Sequence, residues 1–582
     1  MKKFVAILSI VLVVSATWLY LRQHYRNKSI TAWQLVHKNA LLVYESERAI
    51  PAWNDFIKLP VWPILSQIPS IDSINLQLKT IDSLTGRSGE LETLLRDRPF
   101  LVSLNKISPN RLDYVLFIPL DNSDKIKILN DLILKFRNLP GHSFNTRHYE
   151  NTDVFEIKNK AESSIFTYFF HKNYFVGSFT PYLVEDVVRN AAARYAESFQ
   201  SAYGPVLNYP TIKGDDGNLY FNPHELPGLV TTFTDPVLAG EFRNLVSFSG
   251  PGYFDINFEN NRFLFNGTTL ASTDTAATFL STFVDQPSSR LSSFYLMPSN
   301  TASLIDFTFA NLTDWRRSVD RYWAKTGNPY LKRKTDFLSR YNILEKDFYN
   351  YAGHELALVN LETGDAQNTD KLILLQANDT SRLLDFMDNL TQTINKTSGD
   401  TLFYEKFGNY KIRQLPLKDF PSFLFGDLFT GFENSFYTLY KNYLVTGNSL
   451  KAVESFLGDA EEENTWGKSV SFAQYFDNVQ KNANISLFVN LNREYGPLYN
   501  SLDKKWKDLF RKYEQLIRQF EILSIQFVNI NNTIYCSFAL QHRTSTTLIQ
   551  RPSEFLADQL VAAGSVLAAR PYIVTNHLDG SR

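Results

Sequence analysis

The sequence predicts an α+β fold, in which two tandem copies of an antiparallel-sheet-plus-helix domain follow one N-terminal transmembrane helix. Three observations lead to this prediction. An uncharged apolar run occupies residues 4–21, several segments recur about 270 residues apart, and aromatic strand-like stretches flank two-residue turns. The recurrence and the turns together favour antiparallel hairpins that are repeated within one body.

Composition restricts the number of domains and the class of partner. A chain of 582 residues is too long for one ordinary core and suits two or three domains. Aromatic residues make up 14% of the chain, and because aromatic side chains favour strands, we expect much sheet. Lys and Arg number 59 against 60 Asp and Glu. The chain therefore has no overall positive field, and we expect no nucleic-acid partner.

The N-terminal apolar run predicts a membrane anchor. Phe4 to Leu21 contains 18 residues without a charge, and as a helix it would be about 27 Å long, close to the roughly 30 Å apolar core of a bilayer. Trp18 and Tyr20 would lie near one interface, where aromatic rings are favoured. The alternatives are a buried core helix and a signal peptide cleaved near Val14-Ser15-Ala16. Because the run continues to Leu21, we predict an uncleaved signal anchor over residues 1–30.

The orientation of this anchor is less strongly encoded than its presence. Lys2 and Lys3 precede the run, and Arg22, Arg26 and Lys28 follow it, so the positive charges on the two sides nearly balance. Short N-terminal flanks of this kind usually stay inside and export the rest of the chain. We therefore predict a single-pass inner-membrane protein with a periplasmic body, in contact with the membrane through its N-terminal helix.

An internal repeat is the main evidence for two domains. Tyr168–Val188 aligns without a gap to Tyr437–Leu457, with seven identities in 21 positions at an offset of 269. The identical pairs are Tyr168 with Tyr437, Lys172 with Lys441, Asn173 with Asn442, Tyr174 with Tyr443, Val176 with Val445, Val184 with Val453, and Glu185 with Glu454.

Three looser matches recur in the same order, at offsets of 258, 268 and 271. They begin at Ile126 with Leu384, Leu219 with Leu487, and Phe258 with Asn529. From these matches we predict a first α+β repeat over residues 40–285 and a second over residues 291–543. The junction, residues 285–290, is a polar Pro/Ser stretch typical of a linker.

The repeated segments also predict local structure. Lys172-Asn173 separates two aromatic strands as a two-residue hairpin turn, and Asn tolerates the positive φ that such a turn requires. We expect a helix over about 184–196, and another over about 502–522, where apolar residues recur every three or four positions. Two further hairpin turns are expected at Asn260-Asn261 and Asn531-Asn532.

The C-terminal segment, residues 544–582, falls outside both repeats. We expect a helix over Glu554–Ala569, then a strand over Pro571–Asn576 and a turn at Asp579-Gly580. A strand without a partner suggests either the start of a truncated further domain or a docking strand.

The anchor together with the two Lys-Asn-Tyr hairpins and their following helices resembles a family of bacterial membrane-anchored proteins with a duplicated α+β body. The resemblance covers most of the chain. In longer proteins of similar appearance, a stretch like Pro571 to Arg582 leads into a β-propeller. The family implies a domain of unknown function, so it supplies no site residues for this chain.

The sequence contains no complete catalytic, cofactor-binding or metal-binding motif. None of the nine histidines has the four-residue spacing of a helical zinc site. Each remaining candidate lacks a required residue, and we interpret these stretches as turns, surface residues or core. They are His142 and His148, His224-Glu225, His354-Glu355, Gly467-Lys468-Ser469, Gly214–Asn218, Ser249, Glu461–Glu463 and the single cysteine, Cys536. We therefore assign no catalytic, cofactor-binding or metal-binding residues and expect no cofactor.

Three classes of function remain. A non-enzymatic, membrane-anchored scaffold or interaction protein of the bacterial cell envelope fits best, with an envelope protein as its partner. It would be favoured by a large exposed apolar patch. A binding protein for a lipid, glycan or other small envelope molecule is the alternative, favoured by a deep aromatic pocket. An enzyme, the third possibility, would show perturbed carboxylates or histidines in one cleft.

Overall fold

The computed structural model describes residues 30–85, 89–109, 111–160, 164–209, 216–240, 242–259, 261–270, 277–363, 369–399 and 401–542. The predicted anchor over Phe4–Leu21, the C-terminal segment 544–582 and Asn260 lie outside these ranges. No helix within them combines the length and the apolar character needed to cross a bilayer. We call residues 30–270 the first half and residues 277–542 the second half.

The fold is mixed α+β around a large antiparallel sheet, as predicted. In the first half the neighbouring strands are β4-β5-β6-β7-β3-β2-β1-β8-β9-β10. These strands are β1 (Leu42–Ser46), β2 (Phe100–Ser108), β3 (Arg111–Pro119), β4 (His142–Tyr149), β5 (Thr152–Asn159), β6 (Ser164–His171), β7 (Tyr174–Ser178), β8 (Asn218–Phe221), β9 (Gly252–Phe258) and β10 (Arg262–Thr269).

In the second half the neighbouring strands of the large sheet are β15-β16-β17-β18-β14-β13-β12-β20-β21-β22, and β22 pairs with β10 to join the halves. Short strands β11 (Ser289–Arg290) and β19 (Asn482–Ala483) pair separately. The others are β12 (Thr301–Thr308), β13 (Ala352–Leu361), β14 (Asp370–Ala377), β15 (Tyr404–Phe407), β16 (Tyr410–Leu415), β17 (Ser435–Tyr440), β18 (Tyr443–Gly447), β20 (Ile485–Asn490), β21 (Phe520–Ile530) and β22 (Thr533–His542).

Helices connect the strands in both halves. The first half contains α1 (Ala32–Leu35), α2 (Ala49–Phe56), α3 (Trp62–Leu65), α4 (Pro69–Thr85), α5 (Glu90–Leu95), α6 (Ser123–Arg137), α7 (Pro181–Ala192), α8 (Phe199–Tyr203) and α9 (Leu226–Phe233). The second half contains α10 (Leu312–Thr326), α11 (Tyr330–Arg340), α12 (Glu345–Tyr351), α13 (Thr380–Ser398), α14 (Phe420–Phe425), α15 (Leu450–Glu461), α16 (Val470–Asp477), α17 (Tyr495–Ser501), α18 (Lys504–Lys512) and α19 (Glu514–Ile517). Single 3-10 turns occur at Gly204–Asn208, Pro223–Glu225, Pro236–Gly240, Arg243–Ser247, Leu280–Phe283, Ser293–Leu296, Asp427–Phe429 and Trp466–Lys468.

Helices α6 and α13 occupy equivalent places and begin in the same way. Each follows a hairpin, β2–β3 or β13–β14. The Asn122 side chain accepts from the Lys125 amide at the start of α6, and Asp379 accepts from the Arg382 amide at the start of α13. Both side chains satisfy an amide that has no partner within its helix.

Two helix predictions need correction at their boundaries. The helix expected over 184–196 is α7, which begins at Pro181 and ends at Ala192. Proline suits the first helical turn because its missing amide would have no helical partner there. The helix expected over 502–522 consists instead of α18 and α19, and Phe520 onward forms β21.

Each half of the sheet packs apolar cores on both faces. In the first half, Phe100, Ile118, Tyr168 and Phe175 lie on one side, which we call the Tyr168 face. Helices α5 and α6 pack there through residues such as Leu91, Leu94 and Leu129. The corresponding Tyr437 face of the second half is covered by a larger apolar set. It includes Trp315, Phe337, Phe348, Leu383, Phe420, Leu424 and Phe429.

The stretch predicted as a linker is fixed to the second half. Gln286 is buried, and its side-chain oxygen accepts from the amides of Ala310 and Asn311 at 3.0 and 3.2 Å. Its carbonyl accepts from the Asn484 side chain at 2.8 Å. Residues 285–290 are therefore an ordered part of the packing around β12 and β20.

Candidate functional site

The hairpins that contain the Lys-Asn-Tyr repeats lie at equivalent places in the two halves. Tyr168 pairs with Phe155, and Tyr437 pairs with Arg413. The turns bring His171 opposite Tyr174 and Tyr440 opposite Tyr443, as two-residue hairpins require. The left-handed residue in each turn is the lysine, Lys172 or Lys441 with φ of 51° or 52°, and not the asparagine that the sequence suggested.

The register of the paired strands shows which residues near these hairpins occupy corresponding positions in the two halves. Val115 pairs with Ser178 in the first half, just as Leu372 pairs with Gly447 in the second. One residue further along each strand, Tyr114 corresponds to Lys371 and Phe179 to Asn448. On the other edge of these strands, Thr167 pairs with Ser178, and Phe436 pairs with Gly447. Thr167 therefore corresponds to Phe436. The preceding residues, Phe166 and Ser435, correspond as well.

Three aromatic side chains meet at one end of the Tyr168 face. The Phe166 and Phe179 ring centroids are 5.0 Å apart, and those of Tyr114 and Phe179 are 6.1 Å apart, both edge to face. Phe179 is 46% exposed, while Tyr114 and Phe166 are half-buried. We call these three residues the aromatic cluster. Exposed aromatic rings held together in this way are typical of binding surfaces.

Gly177 allows Phe166 to lie flat against the sheet. A Cβ atom at position 177 would come within 2.5 Å of Cζ of Phe166, which is closer than two carbon atoms can approach. The missing side chain of Gly177 therefore sets the height of the Phe166 ring above β7.

Hydrogen bonds fix the backbone beneath the aromatic cluster. The Ser178 hydroxyl donates to the Tyr114 carbonyl at 2.7 Å, and the Tyr114 amide donates to Oδ1 of Asp113 at 2.8 Å. The Thr180 hydroxyl donates to the other oxygen of Asp113. These bonds tie β3 to β7 on both sides of Phe179, so the cluster is held on a rigid support.

The Tyr114 hydroxyl is a neutral donor. Burial and, secondarily, the nearby Asp113 carboxylate raise the pKa of Tyr114 above its ordinary value. The phenol therefore keeps its proton at neutral pH. Within the described ranges, this hydroxyl makes no hydrogen bond.

The equivalent positions of the second half are polar and lie beneath another part of the chain. Lys371 Nζ donates to the Thr430 carbonyl at 3.0 Å, and Asn448 Nδ2 lies 3.5 Å from the Gly431 carbonyl. Ser435 is fully buried. Burial lowers the pKa of Lys371. Both long side chains thus bind the backbone of the segment that covers them.

That covering segment is residues 416–434, between β16 and β17, and it contains α14. Its buried apolar side chains are Phe420, Leu424, Phe425, Phe429 and Phe432. The Tyr349 hydroxyl donates to the Leu424 carbonyl at 2.9 Å, and that of Tyr330 donates to the Phe423 carbonyl at 2.6 Å. In the first half, only residues 160–163 connect β5 to β6.

A carboxyl group with a raised pKa lies in the core, away from the aromatic cluster. Asp306 is fully buried beside Glu355, and burial and then the neighbouring carboxylate raise the pKa of Asp306 well above its ordinary value. Glu355 accepts from the Tyr443 hydroxyl at 2.5 Å and from the amides of Ser292 and Ser293 at 2.7 and 2.8 Å. Asp306, Glu355 and Tyr443 are all buried, and their contacts link β12, β13 and β18.

The histidine motifs have separate surroundings. His354 Nδ1 lies 2.9 Å from the Ala310 carbonyl, while its neighbour Glu355 belongs to the buried pair. His142 and His148 lie six residues apart on β4, and His148 contacts Asp153 at 3.0 Å. His224, next to Glu225, lies in a 3-10 turn. Within the described ranges, no group of three His, Cys, Asp or Glu side chains could hold a metal ion.

The other motifs lie in turns or in the core. Cys536 is buried in β22, and burial raises the pKa of its thiol. Ser249 is buried, and Gly467 belongs to a 3-10 turn. Asp216, from the predicted turn before β8, accepts from the Phe258 amide at 2.9 Å. Glu461 accepts from the Tyr410 hydroxyl at 2.7 Å.

The aromatic cluster has only a partial signal in the amino-acid sequence. In the ungapped alignment of the repeats, Phe179 stands opposite Asn448, an exchange of an apolar for a polar residue. The exchange of Phe166 for Ser435 lies two residues before the aligned block, and Tyr114 is distant in sequence. Only strand pairing brings the three together.

Comparison with known proteins supplies no assignment. The chain matches no protein-family model, no curated protein and no solved structure at a significant level. Function must therefore be argued from the site.

Proposed function

We propose that the protein is a non-enzymatic, membrane-anchored interaction protein of the bacterial cell envelope, which binds an envelope partner through the aromatic cluster. One observation carries the proposal. Tyr114, Phe166 and Phe179 present aromatic rings where the second half has Lys371, Ser435 and Asn448 beneath a segment of its own chain. Exposed aromatic residues on a rigid support are typical anchors of protein interfaces.

We further propose that the body consists of two tandem copies of one α+β unit. The order of strand neighbours supports this, because β4-β5-β6-β7-β3-β2-β1-β8-β9-β10 and β15-β16-β17-β18-β14-β13-β12-β20-β21-β22 correspond strand by strand. The capped helices α6 and α13 correspond as well. Duplication followed by divergence explains why one unit covers a face that the other leaves open.

The anchor and the periplasmic location rest on the sequence. The uncharged run Phe4–Leu21 supports a single inner-membrane span, and the resemblance to membrane-anchored bacterial proteins with a duplicated body agrees with it. Protease added to cells with a permeabilised outer membrane should digest the body of a C-terminally tagged protein. Digestion only after lysis of the inner membrane would contradict the periplasmic location.

The buried ionisable groups support a structural role over a catalytic one. Asp306 and Glu355 are the described carboxylates that most resemble a catalytic pair, yet neither is accessible to a substrate. A general acid or base must reach the reacting atoms directly or through one water molecule.

A binding protein for a glycan or another small envelope molecule remains the second candidate. An open polar depression of about 400 Å³ lies where Asn261 and Gln541 approach α16. Its lining is rich in amide and hydroxyl groups, which suit the hydroxyls of a sugar. The other lining residues are Ser471, Gln474, Tyr475, Asp477 and Asn478. Substitution of Gln474 and Asn478 by Ala would weaken glycan binding if this candidate were correct.

Site-specific photo-crosslinking tests the main proposal. A photoreactive phenylalanine analogue at position 179 in the chromosomal gene should form a discrete crosslinked product in growing cells. The matched control is position 403 in the second half, because Phe403 is similarly exposed at 41%. Products at both positions, or at neither, would contradict a specific role for the aromatic cluster.

A further inference from the structure

We infer that the partner of the aromatic cluster is a short, aromatic-rich helical segment of another protein, comparable to the covering segment, residues 416–434. The inference rests on the proposed function and specifies its partner. The second half provides the evidence, because it places such a segment on the equivalent part of its own sheet.

The sheet has the same strand arrangement beneath the covering segment and beside the aromatic cluster. Ile373 and Leu444 lie beneath the covering segment, and both are buried. Strand pairing places Leu116 and Phe175 at the same two positions in the first half. Phe175 is buried, but Leu116 is half-buried. The first half therefore offers a similar apolar floor with less of it covered.

The short connection of the first half leaves this floor open. Nineteen residues (416–434) join β16 to β17, whereas four residues (160–163) join β5 to β6. Four residues can close the turn between adjacent antiparallel strands but cannot also return across the sheet face. Any cover of this size must come from elsewhere.

The covering segment binds through two kinds of contact, and the first half supplies both. Apolar side chains such as Phe420 and Leu424 fill the core, and backbone carbonyls accept hydrogen bonds from the residues beneath. Lys371 donates one of these bonds, to Thr430. At the equivalent position, the Tyr114 hydroxyl is a protonated donor that makes no bond in the described ranges. It can donate to a carbonyl of a bound segment.

The strand pairing determines how a partner can approach. Strand β7 is hydrogen-bonded to β3 on one edge and to β6 on the other. An extended peptide therefore cannot add to the sheet at this place, because both edges are occupied. A partner must lie across the face, as α14 does in the second half. A short helix with aromatic side chains on one side fits that geometry.

A fluorescent synthetic peptide of residues 416–434 is the probe, with solubilising lysines added at one end. We expect saturable binding to the full-length protein in detergent, measured by fluorescence anisotropy. Phe179→Asn combined with Phe166→Ser, which installs the residues of the second half, should weaken binding by about tenfold or more. Phe403→Asn is the matched control, because Phe403 is 41% exposed and lies in the second half, away from the aromatic cluster. Its binding should be unchanged.

The possible outcomes distinguish failure of the inferred helical partner from failure of the proposed interaction function. Absence of saturable binding to the wild-type protein, with the crosslink at position 179 intact, would overturn the aromatic helical partner and leave an interaction surface. Loss of both results would overturn both proposals. Equal weakening by Phe403→Asn would also overturn the inference, since the peptide would then not bind specifically at the aromatic cluster. Thermal melting of each variant controls for folding, and Phe179→Asn alone provides a milder variant.

Discussion

The Tyr168 face and the Tyr437 face belong to similarly ordered sheets, but among the described residues only the Tyr437 face has a segment of its own chain over the end that corresponds to the aromatic cluster. Residues 416–434 cover the second half, and Lys371 and Asn448 bind the backbone of that segment. The first half has a four-residue connection and an exposed Phe179 at the corresponding place. The comparison indicates that the length of one loop decides whether a sheet face becomes core or surface.

In the second half, buried charged groups lie beside the covering segment. In the second half, Arg316 is buried against the Trp323 ring at 4.7 Å and contacts Asp320 at 3.1 Å. Lys334, also buried, binds Asp320 and Glu345, each at 2.6 Å. These groups hold α10, α11 and α12 beside the covering segment. Arg316 also donates to the Phe425 carbonyl of the covering segment at 3.4 Å, so a buried cation supports the cover in addition to apolar packing.

The largest effect on stability is expected from Arg316→Ala. The substitution removes a buried cation that contacts Asp320 and also approaches the Phe425 carbonyl at 3.4 Å. We expect a loss of about 3–4 kcal/mol in the free energy of unfolding, measured by urea denaturation. Arg333→Ala is the control, because its ion pair with Asp427 is half exposed, and it should cost about 0–1 kcal/mol. Equal costs would show that Arg316 does not hold the cover.

Leu424→Ala should have the next largest effect. Leu424 is 1% exposed within the covering segment, and its removal leaves a cavity beside Ile373 and Phe348. Substitutions of this kind cost about 2–5 kcal/mol. The urea midpoint of the full-length protein would measure the loss. A cost below about 1 kcal/mol would mean that the segment is a loosely attached loop, and the contrast between the two faces would disappear.

The buried acid pair of the second half predicts a pH dependence of stability. Asp306 has a raised pKa when folded, so the folded protein binds more protons than the unfolded chain above the ordinary value of 3.8. The associated stability is fully present below that value and is lost as pH rises through the raised pKa. Asp306→Asn should flatten this part of the unfolding free energy plotted against pH.

Glu45 is the matched residue for this experiment, since strand pairing places it where Asp306 lies. It is half-buried and accepts from Trp33 Nε1 and the Tyr220 hydroxyl at 3.3 and 2.9 Å. Glu45→Gln retains Asp306, so the loss of stability as pH rises through the raised pKa of Asp306 should persist in this variant. An unchanged slope in Asp306→Asn would contradict the raised pKa of Asp306 in the folded protein.

Phe179→Asn should have the smallest effect on stability. Its ring is 46% exposed, and asparagine is the residue that the second half carries at this position. We expect a change within about 0.5–1 kcal/mol by urea denaturation, because half-exposed positions contribute little. A loss comparable to that of Leu424→Ala would show that Phe179 belongs to the core and would remove the argument for an interaction surface.

Local features of the sequence predicted the hairpins well, and long-range features only in part. The turns at Lys172-Asn173 and Asn531-Asn532 depend on adjacent residues, and both occur, with Asn531 and Asn532 at φ of 50° and 65°. The helix expected over 502–522 ends early because Phe520–Ile530 forms β21, which pairs with β20 on one edge and β22 on the other. A short apolar stripe fits either periodicity, and tertiary pairing decided between them.

The proposed interaction surface depends on contacts that no local sequence pattern encodes. Tyr114 reaches Phe179 only because β3 pairs with β7, more than 50 residues apart in sequence. Asp306 meets Glu355 only through the β12–β13 pairing. Phe179 is exposed because no described segment of the chain covers it. The absence of a covering segment produces no sequence motif.

The most direct test of the central claim is the reactivity of a cysteine at position 179. The native Cys536 is 3% exposed and should remain silent to a maleimide. In purified full-length Phe179→Cys, labelling should be fast. In cells with a permeabilised outer membrane that express the variant at its native level, a bound partner should slow it by about tenfold. Phe403→Cys should label equally in both settings. Equal labelling of Phe179→Cys in both would contradict the claim that this surface is covered by a partner.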